Sequence, residues 1–249
     1  MSDSKYLEVL YSSQKRPFSK YPKKLIKQLV KKFNLNLNSS ILELGCGRGE
    51  FLKEFSDLGM KGFGIDISGY AKDYCKNAEI KICDITKEKL PYPDNHFDIV
   101  YSKSFIEHFY DPEIVFKEAF RVLRPSGVFI NLTPEWKYSL TSFYWDYTHR
   151  TPFTKESLQD IYEINGFKNI KVESFKQLPI LWSQNFFIKY FFNFFSELTR
   201  IFVPEYFILK FKWVLFSKCK MLLSIGCDLN KIKALIEKEI KTSENKFST

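Results

Sequence analysis

The sequence predicts one α/β domain built on a mainly parallel sheet that helices cover on both faces. Three observations support this fold class. From residue 41 to about 177, short β-branched or apolar runs alternate with helical patterns, as in chains of successive β-α units. A glycine-rich turn follows the first run, and an acidic residue ends each of the next two runs. A chain of 249 residues can bury one good core, which favours a single domain with elaborations over two independent domains.

The strands and helices of this domain can be placed in order. Predicted strands cover residues 41–44, 62–65, 79–83, 97–102, 127–132 and 169–175. One helix begins at Pro112, because proline is favoured in the first helical turn, and it stops at a turn over residues 124–127. A second helix begins near Thr154 and ends at Gly166, which can adopt the left-handed conformation.

The positive charge is concentrated at the front of the chain. Residues 1–40 carry nine Lys or Arg against two acidic residues, which is +7 of the net +9 and leaves +2 for the remainder. Segment 20–33 predicts an amphipathic helix that begins after Pro22, with its apolar side on the domain and its lysines in water. Nucleic acid is not favoured as a partner, because no zinc spacing or other nucleic-acid module accompanies this charge.

Cysteine usage and the start of the chain predict a cytoplasmic protein. No apolar stretch of signal-peptide length follows the first residues. The five cysteines are odd in number and form no Cys-x-x-Cys pair, which argues against a disulfide framework or a structural zinc site.

The most informative segment is Glu43-Leu44-Gly45-Cys46-Gly47-Arg48-Gly49, a strand that runs into a glycine-rich turn. In doubly wound sheets this turn lies at the carboxyl ends of the strands, where ligands bind. A dinucleotide fingerprint requires glycine at position 50, but that residue is Glu50, whose carboxylate would repel a pyrophosphate. S-adenosylmethionine carries no phosphate, and its sulfonium and ammonium charges favour a nearby carboxylate such as Glu43. The segment therefore predicts an S-adenosylmethionine site rather than an NAD site.

Two further acidic residues extend the predicted cofactor site. Asp66 ends a strand 21 residues after Gly45, where its carboxylate can accept hydrogen bonds from both ribose hydroxyls. Asp84 ends the next strand and can accept from the adenine amino group, with Ile67 and Ile85 on the two faces of the ring. Each aspartate alone has a structural alternative, since strand-end aspartates often cap helices or form turns.

These motifs, together with Phe97-Asp98-Ile99-Val100-Tyr101-Ser102 and Leu123-Arg124-Pro125-Ser126-Gly127, resemble those of class I methyltransferases of the type 11 group. The resemblance covers residues 41 to about 177 and implies a Rossmann-like, seven-stranded, mainly parallel sheet whose antiparallel last strand lies near residues 219–227. It also implies a cofactor site lined by Glu43, Gly45, Cys46, Gly47, Asp66, Asp84 and Ser102. Residues 145–154 are similar, less specifically, to enzymes encoded among polysaccharide-biosynthesis genes.

Histidine is the natural base for a hydroxyl acceptor, because the hydroxyl must lose a proton when it is methylated. His149 follows the fifth strand in an aromatic loop, and we predict it as the base, with Arg150 as an acceptor anchor. A histidine that only holds the loop is the alternative. His108 is the second catalytic candidate, whereas His96 is expected in a solvated turn.

The pair Glu107-His108, just past the fourth strand, is similar to the metal-binding cluster of ubiquinone-pathway O-methyltransferases. Those enzymes have a further carboxylate three residues before the Glu, and here that position is Ser104. One Glu and one His make a thin cation site, so the sequence predicts chemistry without a metal.

Residues 178–217 concentrate the excess aromatic side chains and are expected to form a helical insertion between the sixth and seventh strands. The last strand is expected within residues 218–228, followed by a tail over 229–249. Charges interrupt the insertion every few positions, so it lacks the ~18 consecutive apolar residues of a membrane-spanning helix. Its wide aromatic face, with the basic segment 1–40, suits peripheral contact with the inner face of the membrane. A lid over the acceptor pocket or a dimer contact is the alternative.

The predicted function is the methylation, by S-adenosylmethionine, of an oxygen on a sugar, a glycan precursor or a lipid-linked small molecule. Two other functions remain open. One is a cofactor-binding or membrane-associated module without catalysis, and the other is an RNA methyltransferase.

Overall fold

The computed structural model of the protein describes residues 17–177, 179–182, 187, 190, 191, 194 and 220–227. Its strands are β1 Ser40–Leu44, β2 Lys61–Asp66, β3 Ala78–Ile82, β4 Phe97–Lys103, β5 Leu123–Pro134, β6 Lys168–Lys176 and β7 Lys220–Cys227. They form one sheet in the order β3-β2-β1-β4-β5-β7-β6. β7 runs antiparallel to its neighbours β5 and β6, and the other pairs are parallel. The predicted seven-stranded sheet with an antiparallel last strand is confirmed.

The α-helices of the described residues are α1 Tyr21–Phe33, α2 Glu50–Asp57, α3 Ala71–Tyr74, α4 Glu113–Val122, α5 Trp136–Ser139 and α6 Lys155–Ile164. α1 precedes β1, and the others lie between strands, as the alternating pattern predicts. Both predicted helix starts are confirmed. α4 begins after Pro112, and α6 begins after Thr154, whose Oγ1 accepts a hydrogen bond from the Ser157 N–H at 3.2 Å. The chain leaves α6 through Gly166, where φ is +89°.

The predicted turn over residues 124–127 lies within β5 rather than before it. Pairing with β4 starts at Leu123, breaks, and resumes at Val128, so the intervening residues form a bulge. A Cβ on Gly127 would lie 2.9 Å from the Arg124 carbonyl oxygen, which makes glycine necessary at this bend. The predicted start of this strand at residue 127 was therefore wrong, because β5 already pairs with β4 at Leu123, before the turn.

The core consists of two buried clusters, one on each face of the sheet, because successive strand residues point to opposite faces. α4 and α6 pack on one face, and α1 and α2 pack on the other. α1 buries Leu25, Ile26 and Leu29 completely, whereas most of its lysines are exposed. The predicted amphipathic helix is confirmed, except that it begins at Tyr21 and includes Pro22 in its first turn, where proline is tolerated. Burial of each such side chain stabilises the fold by about 1.5–3 kcal/mol.

Most of the predicted insertion, residues 178–217, lies outside the described residues, as do residues 1–16 and the tail from 228 onward. Within the insertion, residues 179–182 form a 3-10 turn, and helical positions 187, 190, 191 and 194 are exposed. No helix in the part of the chain that the structure describes is long and apolar enough to cross a membrane.

Candidate cofactor and acceptor site

The candidate site lies at the carboxyl ends of the parallel strands. The chain connects β1 to β2 and β3 on one side, then returns across the sheet to β4 and β5 on the other. The order therefore reverses between β1 and β4, and in open α/β sheets such a reversal opens a crevice for ligands. The residues that follow β1, β2, β4 and β5 meet at this edge.

The turn after β1 is shaped by three glycines in the left-handed region, Gly45, Gly47 and Gly49, with φ values of +68°, +51° and +78°. A Cβ on Gly45 would lie 2.2 Å from Cδ2 of the Phe105 ring, so any other residue there would have to displace this ring. A Cβ on Gly47 would meet nothing within 4 Å. A ligand can therefore approach the backbone closely at Gly47, whereas the Phe105 ring covers the backbone at Gly45.

Asp66, at the end of β2, fixes this turn from the side. Its Oδ2 accepts a hydrogen bond from the Gly47 N–H at 2.8 Å. Its Oδ1 accepts from both the backbone N–H and the hydroxyl of Ser68, each at 2.9 Å. The carboxylate predicted to bind ribose is therefore held in position by the two turns that it joins.

Glu43 is the residue that best tests whether a cationic cofactor fits. It is 2% exposed, and its Oε2 has no hydrogen-bond partner within the described residues. Burial raises the pKa of Glu43 well above its usual value, and the nearby charge of Asp66 adds to this effect. A sulfonium or ammonium group in the crevice would offset both the burial of the Glu43 carboxylate and its repulsion by Asp66. These carboxylates therefore fit S-adenosylmethionine.

Asp84, after β3, makes the bonds of a turn former. Its Oδ1 accepts from the backbone N–H of Thr86 at 3.1 Å and from its hydroxyl at 2.6 Å. The Lys87 ammonium lies 2.7 Å from Oδ2, and its hydrogen bond, followed by that of the Thr86 hydroxyl, lowers the pKa of Asp84. Ile67 is 43% exposed, whereas Ile85 is buried. The adenine assignment of these residues stays a prediction.

Two other predicted site residues lie beneath the surface of the crevice. Ser102 is fully buried, and its hydroxyl donates to Asn131 Oδ1 at 2.8 Å in the sheet. Cys46 is also buried, and burial raises the pKa of its thiol. Their contact with the cofactor stays a prediction.

The second half of the site follows β4 and β5. Glu107 and His108 lie in a 3-10 turn after β4, and His149 lies in the loop after β5. The Glu107 carbonyl accepts hydrogen bonds from the backbone N–H groups of Arg150 and Thr151, at 2.7 and 3.1 Å. These bonds bring the two loops together, and the His108 and His149 ring centroids are 4.9 Å apart.

Hydrogen bonds define which nitrogen of His149 carries the proton. His149 Nδ1 lies 2.6 Å from the Phe143 carbonyl oxygen, which can only accept, so Nδ1 donates. Burial lowers the pKa of His149, and a neutral ring with its proton on Nδ1 presents Nε2 as an acceptor.

His108 is oriented by a short chain of hydrogen bonds. Its Nδ1 lies 2.8 Å from Thr148 Oγ1, and this hydroxyl donates to Asp146 Oδ1 at 2.6 Å. Because the hydroxyl has one proton, His108 Nδ1 is the donor to Thr148. Burial, followed by the charge of His149, lowers the pKa of His108 to about 4.

Glu107 is fully buried beside the two histidines. Its Oε2 accepts from the Thr133 hydroxyl at 3.0 Å, but Oε1 has no partner among the residues described here. Burial raises the pKa of Glu107 to about 7. One oxygen of Glu107 and one nitrogen from each of His108 and His149 lie within 4.8 Å of one another.

The sequence predicts only the Glu107-His108 pair of this cluster. His149 stands 41 positions after His108, and no local spacing joins them. His96 was also misplaced as a solvated residue, since its ring is half-buried, 4.7 Å from the Phe97 ring centroid. Glu135 was not predicted at all. It is 4% exposed, and its Oε1 accepts from the Ser174 hydroxyl at 2.9 Å.

Arg150 does not point into open space. Its guanidinium donates to the carbonyl oxygens of Tyr147 and His149 at 2.6 and 3.1 Å, and it lies 5.1 Å from the Tyr110 ring centroid. These contacts stabilise the loop that carries His149. Its part as an acceptor anchor stays a prediction.

The fold and the crevice define a class I, Rossmann-like methyltransferase fold. Residues 42–131 match the family model described as a methyltransferase domain. Over 88% of its length the chain is similar to a SAM-dependent methyltransferase from Archaeoglobus fulgidus, with a TM-score of 0.60, 23% identity and 98% of that chain covered. It is also similar to phosphoethanolamine N-methyltransferase 2 of Haemonchus contortus in complex with S-adenosylhomocysteine, with a TM-score of 0.60 and 16% identity over 90% and 59% of the two chains.

Curated relatives match about two fifths of the chain. Phosphoethanolamine N-methyltransferase 1 of Arabidopsis thaliana is 30% identical over 110 residues, which are 41% of this chain and 22% of that protein. The ubiquinone/menaquinone biosynthesis C-methyltransferase UbiE of Rickettsia akari is 35% identical over 112 residues, 39% of this chain and 45% of the relative. The chain thus covers less than half the length of these relatives. The matches support the enzyme class and the cofactor predicted from the sequence.

Proposed function

We propose that this protein is an S-adenosylmethionine-dependent methyltransferase that methylates an oxygen of a sugar, a glycan precursor or a lipid-linked small molecule. One observation carries the proposal. The glycine turn with Glu43 and Asp66 shares a sheet edge with Glu107, His108 and His149, so a cation-binding half and a proton-accepting half face one crevice.

The cofactor half is assigned to the turn and strand-end residues. The proposed set is Glu43, Gly45, Cys46, Gly47, Asp66, Ile67, Asp84, Ile85 and Ser102. When bound, S-adenosylmethionine supplies a methyl group already activated by its sulfonium. The residues of this half then need only hold the cofactor, with Asp66 on the ribose and the carboxylate of Glu43 facing positive charge.

The acceptor half is assigned to the two histidines. His149 is proposed to accept the hydroxyl proton, and its Nδ1 bond to the Phe143 carbonyl supports this role because it leaves Nε2 as the acceptor nitrogen. His108 is the second proposed catalytic group. Alignment of the acceptor oxygen behind the methyl group is the main contribution that such a site makes to an in-line displacement.

The cofactor assignment is tested by calorimetric titration of the protein with S-adenosylmethionine, S-adenosylhomocysteine and NAD in parallel. We expect the first two to bind. Asp66→Ala should weaken that binding at least about tenfold, because it removes a carboxylate that orders both the ribose and the Gly47 N–H. The conservative variant Asp66→Asn should bind with intermediate affinity. Binding of NAD alone would overturn the function, and unchanged affinity of Asp66→Ala would remove the ribose assignment.

Peripheral membrane contact through residues 178–217 is part of the proposal. Phe187, Tyr190, Phe191 and Phe194 follow the i, i+3, i+4, i+7 spacing of one helix face, and each is at least 62% exposed. The exposed lysines of α1 add attraction to anionic lipid.

Co-sedimentation with anionic vesicles should therefore fall in Phe191→Ser/Phe194→Ser. The charge-reducing variant Lys23→Gln/Lys27→Gln should weaken it less and make it less sensitive to salt. If the unmodified protein does not co-sediment with anionic vesicles, only a lid over the acceptor pocket or a dimer contact remains as the role of residues 178–217.

A further inference from the structure

We propose that Glu107, His108 and His149 bind a divalent cation of the zinc class at the acceptor half of the crevice. This proposal rests on the proposed function and deepens it, because the cation would take part in activating the acceptor. It differs from the sequence-based prediction of chemistry without a metal, since the structure brings a third ligand to the Glu107-His108 pair.

The ligand set is the first argument. Two imidazole nitrogens and one carboxylate oxygen lie within 4.8 Å of one another. Zinc ligands about 2.0–2.1 Å from the metal stand about 3.3 Å apart in a tetrahedron, so the side chains must close by about 1.5 Å at most. Imidazole favours zinc-class cations, whereas Mg²⁺ and Ca²⁺ take oxygen ligands.

The bonds behind the ligands are the second argument. Metal-binding histidines usually donate their other N–H to a carbonyl or carboxylate, which orients the ring. His149 Nδ1 donates to the Phe143 carbonyl oxygen, and His108 Nδ1 reaches Asp146 through the Thr148 hydroxyl. Both histidines make these bonds through Nδ1, which leaves Nε2 of His149 as the nitrogen that can bind a cation.

The buried oxygen of Glu107 is the third and independent argument. Glu107 is fully buried, and its Oε1 has no hydrogen-bond or ion-pair partner in the described part of the chain. Leaving such an oxygen unpaired is costly, whether it is charged or protonated. A cation held between Oε1 and the histidines would satisfy it, while Oε2 keeps the Thr133 hydroxyl.

Three protein ligands leave one tetrahedral position open, as in zinc enzymes that act on a bound oxygen. An acceptor hydroxyl at that position would lose its proton to solvent more readily. The O–CH₃ bond then forms as the C–S bond of the sulfonium breaks, and S-adenosylhomocysteine is released. His149 would act in this case as a ligand instead of as the base.

The test uses the tag-free protein after treatment with a chelator. Titration with ZnCl₂, followed by metal analysis of the gel-filtered protein, should show one zinc per chain. Glu107→Gln and His149→Ala should each weaken binding at least about tenfold. The matched controls Glu135→Gln, a buried carboxylate outside the cluster, and His96→Gln should bind zinc as the unmodified protein does. Melting curves of all variants report whether they are folded.

Cobalt substitution of the unmodified protein gives a second measurement that needs no variant. A tetrahedral Co²⁺ spectrum without a thiolate charge-transfer band supports the proposed ligands, whereas a thiolate band assigns the metal to a cysteine and overturns the proposal. No stoichiometric binding, or equal binding in folded Glu107→Gln, also overturns it. S-adenosylmethionine titrated into the same chelated protein separates the two ideas, because cofactor binding without zinc binding removes only the cation. Zinc binding without cofactor binding removes only the proposed function.

Discussion

The cofactor half and the acceptor half of the crevice are held in different ways. After β1, left-handed glycines and one carboxylate define the shape, and Gly45 is packed so closely against Phe105 that a side chain would have to displace its ring. After β4 and β5, side chains position other side chains, as in the chain from His108 through Thr148 to Asp146. A backbone-defined pocket suits one constant cofactor, whereas a side-chain-defined pocket can change with the acceptor.

Removal of the His149 side chain tests the acceptor half without touching the cofactor half. His149→Ala should lower the turnover number by between about a hundredfold and ten-thousandfold, because the acceptor hydroxyl loses its activating group. The affinity for S-adenosylmethionine should change by less than about twofold, since no cofactor-half contact is lost. Turnover is measured with the first acceptor that is found to be methylated when sugars and lipid-linked compounds are screened. A variant with normal turnover would show that His149 only holds the loop.

A second experiment addresses the glycine turn. Gly45→Ala should lower the free energy of unfolding by about 3 kcal/mol, the sum of left-handed strain and overlap with Phe105. Gly47→Ala is the matched control, because it carries the same sign of φ and no close neighbour, and it should cost only about 1–2 kcal/mol.

Urea unfolding of both variants checks this difference. Equal costs would mean that strain alone governs the turn and that the Phe105 contact relaxes. The ring of Phe105 also packs against that of Phe109, 4.8 Å away, which resists such relaxation. The affinity of folded Gly47→Ala for S-adenosylmethionine then reports how closely the cofactor approaches this backbone.

The two halves also differ in how far the sequence could predict them. The strand, turn and helix around Gly45 were predictable because the turn chemistry is local, and Asp66 follows at a strand end. The meeting of Glu107 with His149 depends on the Glu107 carbonyl, which accepts from the backbone of Arg150 and Thr151. A backbone hydrogen bond between distant loops has no residue signature, so the third member of the cluster was not predictable.

The smallest effect concerns the scaffold at the opposite edge of the sheet. Asp98 Oδ2 accepts from the N–H and hydroxyl of Ser40 at 2.8 and 2.7 Å, and Oδ1 accepts from Arg124 at 2.8 Å. Partial burial alone would raise the pKa of Asp98, but the bonds from Ser40 and then Arg124 outweigh it and lower the pKa. Because its pKa is lower in the folded state, charged Asp98 stabilises the folded protein at pH values above the unfolded pKa of about 3.9. This stabilisation is lost as the pH falls through the folded pKa.

Asp98→Asn should therefore cost about 1 kcal/mol at pH 7, a modest amount because solvent screens this part-exposed carboxylate. Urea unfolding at pH 7 and at successively lower pH should show the two proteins converging as the pH falls below the unfolded pKa of about 3.9 towards the lowered pKa of folded Asp98. A difference in the free energy of unfolding that stays constant across this pH range would mean that the charge of Asp98 does not contribute to its bonds with Ser40. At pH 7 the variant should bind the cofactor as the unmodified protein does, because Asp98 lies at the start of β4, whereas Ser102 of the proposed cofactor site lies near its end.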